Sequence, residues 1–160
     1  MQLIRPLALA CFLVALLPRP ALADATLFIG GTTTPSTRKT TGFAVGLGIT
    51  IVGVEFEYAR TAEDVPSAAP SLKTGMGNIY VQTPIDIASM RFYATTGAGV
   101  FRETIEVRQE TSLAFNTGGG VKLSLLGPIK ARVDYRLIRL RGDPLYATVH
   151  RVYAGLNVTF

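Results

Sequence analysis

Side chains able to do acid–base, nucleophilic or metal chemistry are scarce in this chain: one histidine, His150, and one cysteine, Cys11, among 160 residues. A general base must stand within hydrogen-bond reach of the group it deprotonates. The residues that could serve His150 in this way are Asp64, Ser67 and Asp143. All three lie in polar connecting stretches, where such residue types are expected without any catalytic duty, and His150 reads as an interfacial side chain. A single histidine and no cysteine beyond residue 23 leave no ligand set with metal spacing. No cofactor, no metal and no enzymatic activity are expected.

The richer constellation is ionic. Glu55 and Glu57 are spaced two apart, as are Lys130, Arg132, Asp134 and Arg136, with apolar residues between them. Spacing of two puts side chains on one face of a β-strand. Arg91, Lys122 and Arg151 fall on the polar faces of three further segments. The expected network is Glu55, Glu57, Arg91, Lys122, Lys130, Arg132, Asp134, Arg136 and Arg151. Charges on one buried face are costly unless paired and hydrogen-bonded, so these residues are expected to form salt bridges.

The elements that must hold them are strands. The sequence alternates with period two almost throughout residues 24–160 and shows no sustained helical period. Eight segments stand out, at about 25–33, 41–50, 52–61, 73–83, 89–102, 110–124, 128–140 and 146–160. Longer polar connections (34–40, 62–72, 103–109, 141–145) alternate with shorter ones (near 50–51, 84–88 and 126–127). This is the rhythm of a membrane barrel with outer loops and inner turns. Glycine decides which face points inward. Gly42, Gly46, Gly48, Gly118, Gly120 and Gly155 share the polar face, where exposed strand glycine would only weaken a soluble sheet. Inside an eight-stranded barrel, whose interior is just wide enough for side chains, they make room for arginine and lysine. The same need for space accounts for Gly97-Ala98-Gly99 and Gly118-Gly119-Gly120, which complete no dinucleotide fingerprint. The fold class read from the sequence is all-β, an eight-stranded antiparallel up-and-down transmembrane β-barrel with apolar residues outward.

Residues 1–23 read as a cleaved secretory signal: Arg5, the apolar run Leu7–Leu17, then Pro18, Pro20 and Ala21-Leu22-Ala23. The barrel domain is then 24–160, and it lacks cysteine. The net charge of +5 falls to about +3 without Arg5 and Arg19, and no basic patch is interleaved with aromatic residues. Nucleic-acid binding is therefore not expected.

The last strand, Arg151-Val152-Tyr153-Ala154-Gly155-Leu156-Asn157-Val158-Thr159-Phe160, has alternating apolar residues and a terminal phenylalanine. With the signal segment, the eight strands and the loop rhythm, it makes residues 24–160 resemble the OmpA/OmpX-type family of small outer-membrane barrels. Two departures are Val158, where an aromatic residue is common, and the absence of tryptophan, which leaves the girdles to Tyr58, Phe92, Tyr135 and Phe160. The resemblance implies the bacterial outer membrane as location and its lipid and lipopolysaccharide as surroundings. It also implies insertion by the barrel assembly machinery through the signal Val152, Ala154, Leu156, Val158 and Phe160. Lipid-modifying enzymes share this architecture. The deacylase type needs a serine beside its histidine, and Val152 stands there; the palmitoyl transferase type would draw on His150 with loop Asp and Ser.

The expected function is a structural, envelope-integrity or surface-interaction role, with a lumen plugged by the charged network. A narrow channel for ions or small solutes is the first alternative, and its positive excess would favour anions. A lipid-modifying enzyme is the second, and a soluble ligand-binding barrel the third. The mixed charged rim of Arg60, Glu63, Asp64, Arg102, Glu103, Glu106, Arg108, Arg139 and Arg141 is expected to be a solvated outer surface. A specific loop ligand is not identified by the sequence.

Overall fold

The computed structural model describes residues 22–160, so the expected signal segment lies outside the described residues except for Leu22 and Ala23. Eight strands follow in order: β1 Leu22–Thr32, β2 Arg38–Gly48, β3 Val52–Thr61, β4 Ser71–Gln82, β5 Met90–Ile105, β6 Arg108–Leu126, β7 Ile129–Leu140 and β8 Thr148–Thr159. Each pairs antiparallel with the next, and β1 pairs with β8, with Leu27 opposite Leu156, to close the barrel. Closure leaves no strand edge within the wall, the condition for a sheet to stand in lipid. Among the described residues no helix is long and apolar enough to cross a membrane.

Strand positions follow the alternation in the sequence. On β3, Glu55, Glu57, Ala59 and Thr61 are buried inside while Val54, Phe56 and Arg60 are exposed outside. The outward set on other strands includes Leu27, Phe43, Leu47, Ile79, Val100, Leu113, Val133 and Leu156. Over much of its height the barrel is thus inside-out relative to a water-soluble protein, with large apolar side chains on the exposed face and a set of charges buried in the lumen. Phe92 and Phe160 stand outward near the end that holds the termini, and Tyr58 and Tyr135 lie farther toward the other end.

The loop rhythm needs two corrections. The connection expected at 103–109 is a turn at Glu106-Val107, because β5 and β6 run on past the barrel wall as a two-stranded hairpin. Its charged residues resemble a loop in sequence, yet beyond the wall a ribbon needs no apolar face against lipid. Glu106 takes a positive φ of 50° at that turn. Conversely, the connection after β4 covers 83–89 and is longer than the tip of that hairpin, although it belongs to the inner end.

Val133 lies near the middle of β7, 49% exposed on the outer face. Val133→Arg is expected to lower the stability of the barrel in lipid vesicles by about 2–4 kcal/mol, the cost of arginine near a bilayer midplane. A strand facing water would tolerate the change to within about 0.5 kcal/mol. Urea titration followed by far-ultraviolet circular dichroism measures it in a chain without tryptophan.

Candidate functional site

The interior is built in layers. The middle layer is a fully buried cluster of three guanidinium groups and three carboxylates: Arg132, Arg136, Arg151, Glu55, Glu57 and Asp134. Asp134 sits between Arg132 and Arg136 on the inward face of β7 and receives both. Arg132 Nη2 donates at 2.8 Å and Arg136 Nε at 2.7 Å. Across the lumen Glu55 accepts from Arg132 Nη2 at 3.2 Å and from Arg136 Nη2 at 3.1 Å. Glu57 accepts from Arg151 Nη1 at 3.3 Å and lies 3.4 Å from Arg136 Nη2.

Tyrosines stitch these pairs together. The Tyr93 hydroxyl donates to Asp134 and accepts from Arg132 Nε at 2.7 Å. The Tyr153 hydroxyl lies 2.9 Å from Glu57 Oε2 and 3.0 Å from Asp134 Oδ2. The Arg132 guanidinium also stands 4.9 Å from the Tyr93 ring centroid, within cation–π range. Phe28 stacks on Tyr153 with ring centroids 4.0 Å apart. Glycine supplies the space: a Cβ at Gly42 would strike the Phe28 ring, and one at Gly118 would come to 3.0 Å from Arg136 Cδ. The glycines therefore accommodate aromatic rings as well as the arginine side chains expected from the sequence.

Not every expected residue joins this cluster. Lys122 forms a separate buried pair with Asp24, Nζ to Oδ2 at 2.6 Å. Arg91 pairs with Asp86 of the 83–89 connection at 2.7 Å, and Lys130 is half-buried at the inner mouth with no carboxylate in ion-pair range among the described residues. The correction has a simple cause: period two assigns a residue to a face but not to a height. Arg91 and Lys130 are the second residues of their strands, so their side chains end at the rim. The expected positive excess shrinks from three to one. Asp24 and Asp86 were not counted in it, and the middle layer holds equal numbers of each sign. Asp24, Tyr93 and Tyr153 are participants that sequence reasoning missed. Tyr93 shares the parity of Arg91 on β5, which was the available signal.

Toward the outer end the lumen changes character. Leu72, Met76, Phe101, Ala114, Ile138, Leu140 and Val149 form a buried apolar cluster inside the barrel. Beside it the hydroxyls of Thr32, Thr40 and Thr61 form a closed triangle with edges of 2.8, 3.1 and 2.9 Å. Above it Arg38 donates to the carbonyls of Thr34, Ala62 and Pro70, which ties the first two outer connections across the mouth. In the second of these connections the Asp64 carboxyl is held below the usual carboxylate range by the Ser67 hydroxyl and then by the Ser36 hydroxyl. The inner mouth opens on a cavity of about 480 Å³ lined in part by Asp24, Tyr80, Arg91, Lys122 and Lys130.

The assembly-signal residues Val152, Ala154, Leu156, Val158 and Phe160 all project outward from β8 or its end. His150 is outward too, near the outer end of β8, its Nδ1 2.7 Å from the Tyr135 hydroxyl. Asp64, Ser67 and Asp143 make no hydrogen bond with it. Among the described residues no group of three or more His, Cys, Asp or Glu could hold a metal ion.

No family model and no curated protein matches this sequence. Solved structures do. The N-terminal β-barrel domain of Pseudomonas aeruginosa OprF matches with a TM-score of 0.65 at 13% identity, over 88% of this chain and 100% of that one. Neisserial surface protein A matches with a TM-score of 0.66 at 15% identity, over 88% of this chain and 96% of the other. Ail, the attachment invasion locus protein of Yersinia pestis, solved with a heparin analogue, matches at 0.55 and 13% identity, over 89% and 100%. At such identities the likeness concerns the fold. By its closed eight-stranded wall, its apolar exterior and these neighbours, the chain has the fold of the small OmpA/OmpX-type outer-membrane barrels.

Proposed function

We propose that this protein is a non-conducting, non-enzymatic barrel of the bacterial outer membrane, exported by a cleaved signal over residues 1–23, with a structural, envelope-integrity or surface-interaction role. The observation that carries this reading is the interior. Two successive layers, the paired charges around Asp134 and the apolar cluster around Phe101, fill the lumen between the inner mouth and the outer loops. A pore would need a continuous wetted path, and apolar constrictions oppose one by dewetting. The outward position of Val152, Ala154, Leu156, Val158 and Phe160 supports delivery by the barrel assembly machinery. The Tyr135 contact supports a girdle role for His150.

Cell fractionation with gel mobility of boiled and unboiled samples tests the location. Outer-membrane enrichment with a heat-dependent shift is expected; soluble periplasmic recovery without a shift would overturn it. The same preparation in planar bilayers is expected to give no stepwise ion conductance, and reproducible steps would move the reading to a channel.

A further inference from the structure

The outer surface carries an arrangement that pairing within the chain does not explain. Cross-strand register places Arg60 of β3 opposite Lys73 of β4, and Lys73 opposite Arg102 of β5. All three side chains are exposed on the outward face. Like charges directly opposite one another destabilise a sheet. Among the described residues none of the three has a carboxylate within 4.0 Å, whereas Arg91 and Arg108 each find an aspartate. The row continues in hydroxyls: Thr41 stands opposite Arg60 on one side, and Thr111 opposite Arg102 on the other. Lys39 adds a fourth exposed cation one step outward, its carbonyl accepting from Ala62 N–H at 3.0 Å.

Height and surroundings identify the counter-charge. Below the row the outward face is apolar: Phe43, Tyr58, Phe56, Val100 and Leu113. Strands rise about 3.3 Å per residue and tilt by roughly 40°. The eight steps from Val52 to Arg60 therefore climb about 20 Å, close to the ~25 Å height of an outer-membrane apolar band. The cations thus stand at the upper edge of that band, at headgroup level. Directly beneath Lys73, β4 presents Gly75 and Gly77, leaving a shallow furrow beside Phe56 and Tyr58. At Gly75 an added Cβ would meet only the edge of the Phe56 ring, at 4.0 Å.

We propose that Arg60, Lys73 and Arg102, flanked by Thr41 and Thr111, bind the phosphate groups of an outer-leaflet glycolipid whose acyl chain runs down the Gly75–Gly77 furrow. Neighbouring strands are about 4.8 Å apart, so the three cations span roughly 10 Å. One phosphorylated headgroup can then engage more than one of them. The lipid supplies the missing charge, and the cross-strand repulsion becomes a binding determinant.

The inference rests on the outer-membrane reading, and the test separates the two. The full chain, folded in neutral detergent as judged by its heat-dependent gel shift, is titrated with bisphosphorylated lipid A, with its fully dephosphorylated form and with inorganic phosphate. Native mass spectrometry and the thermal midpoint are the readouts. Wild type is expected to bind the bisphosphorylated form and rise in midpoint, with little response to the other two. Each cation near an anionic surface contributes roughly fivefold in affinity. The R60Q/K73Q/R102Q variant is therefore expected to bind roughly a hundredfold more weakly. Its own midpoint without lipid should be unchanged or higher, because repulsion has been removed. Equal binding by the folded triple variant would overturn the site, as would equal binding of dephosphorylated lipid. An equal midpoint rise with inorganic phosphate would overturn the lipid assignment. None of these outcomes touches the location, which fractionation reads independently.

Discussion

Asp134→Asn is expected to destabilise the folded barrel by about 3–5 kcal/mol, the cost of leaving a buried charge without its partner. Asp134 is the only carboxylate in the middle layer that touches Arg132, Arg136, Tyr93 and Tyr153 together. Asparagine keeps the size and removes the charge, leaving three buried guanidinium groups to share Glu55 and Glu57. The effect is electrostatic: Asp134 is fully buried, where the low local dielectric strengthens its interaction with the guanidinium groups. Urea titration of the barrel in vesicles by circular dichroism, or the temperature at which the unboiled gel form disappears, measures it. A loss below about 1 kcal/mol would mean that the layer is hydrated and that its ion pairs are as weak as surface pairs.

Phe101→Ala should cost a comparable 3–5 kcal/mol through a different term, the cavity left in the apolar cluster. Phe101 is 1% exposed and is packed among Leu72, Met76, Ala114, Ile138, Leu140 and Val149. Its layer is stacked on the charged one, and on the proposed reading the two obstruct the lumen in series. The alanine variant is therefore expected to lose stability and still pass no current, because the Asp134 layer below stays closed. The same chemical titration gives the stability, and planar bilayers give the conductance. Stability within 1 kcal/mol of wild type would show that the outer lumen is wet. Together the two variants separate an ionic layer from a hydrophobic one within a single barrel.

Much of this architecture can be read from residue order. The range of β3 is the one expected, and the inward set Glu55, Glu57, Arg132, Asp134, Arg136 and Arg151 follows from parity alone. Glycine on the polar face correctly told inside from outside. Parity fails in two ways. It carries no depth, so Arg91 and Lys130 were expected in a layer that their side chains do not reach. It also falls silent where both faces are apolar. On β7 the inward residues change from Arg136 to Ile138 and Leu140 while Leu137 lies outward. That stretch reads as strand without showing that the lumen has become dry. The β5–β6 hairpin was hidden for the opposite reason, because both of its faces are polar. Asp24 was missed because it was read as the first residue of the domain and never as a strand position. The Arg60–Lys73–Arg102 row is invisible without register, since its members are separated in sequence by the outer connection 62–70 and the inner connection 83–89.

The closing seam has a consequence in time. Asn157 of β8 donates to Thr26 of β1, Lys122 reaches Asp24, and Arg132 reaches Glu55, partners separated by 131, 98 and 77 residues. Interactions between such distant positions make a folding reaction slow, because much chain entropy is lost before they form. Arg151 and Tyr153 arrive only with the last strand, so the ionic layer stays incomplete until the ring shuts. Once shut, opening the seam exposes several buried charges in one step, and nothing compensates them midway. A barrel built this way is held by the height of its exit barrier, and its lifetime in the envelope is set by a rate.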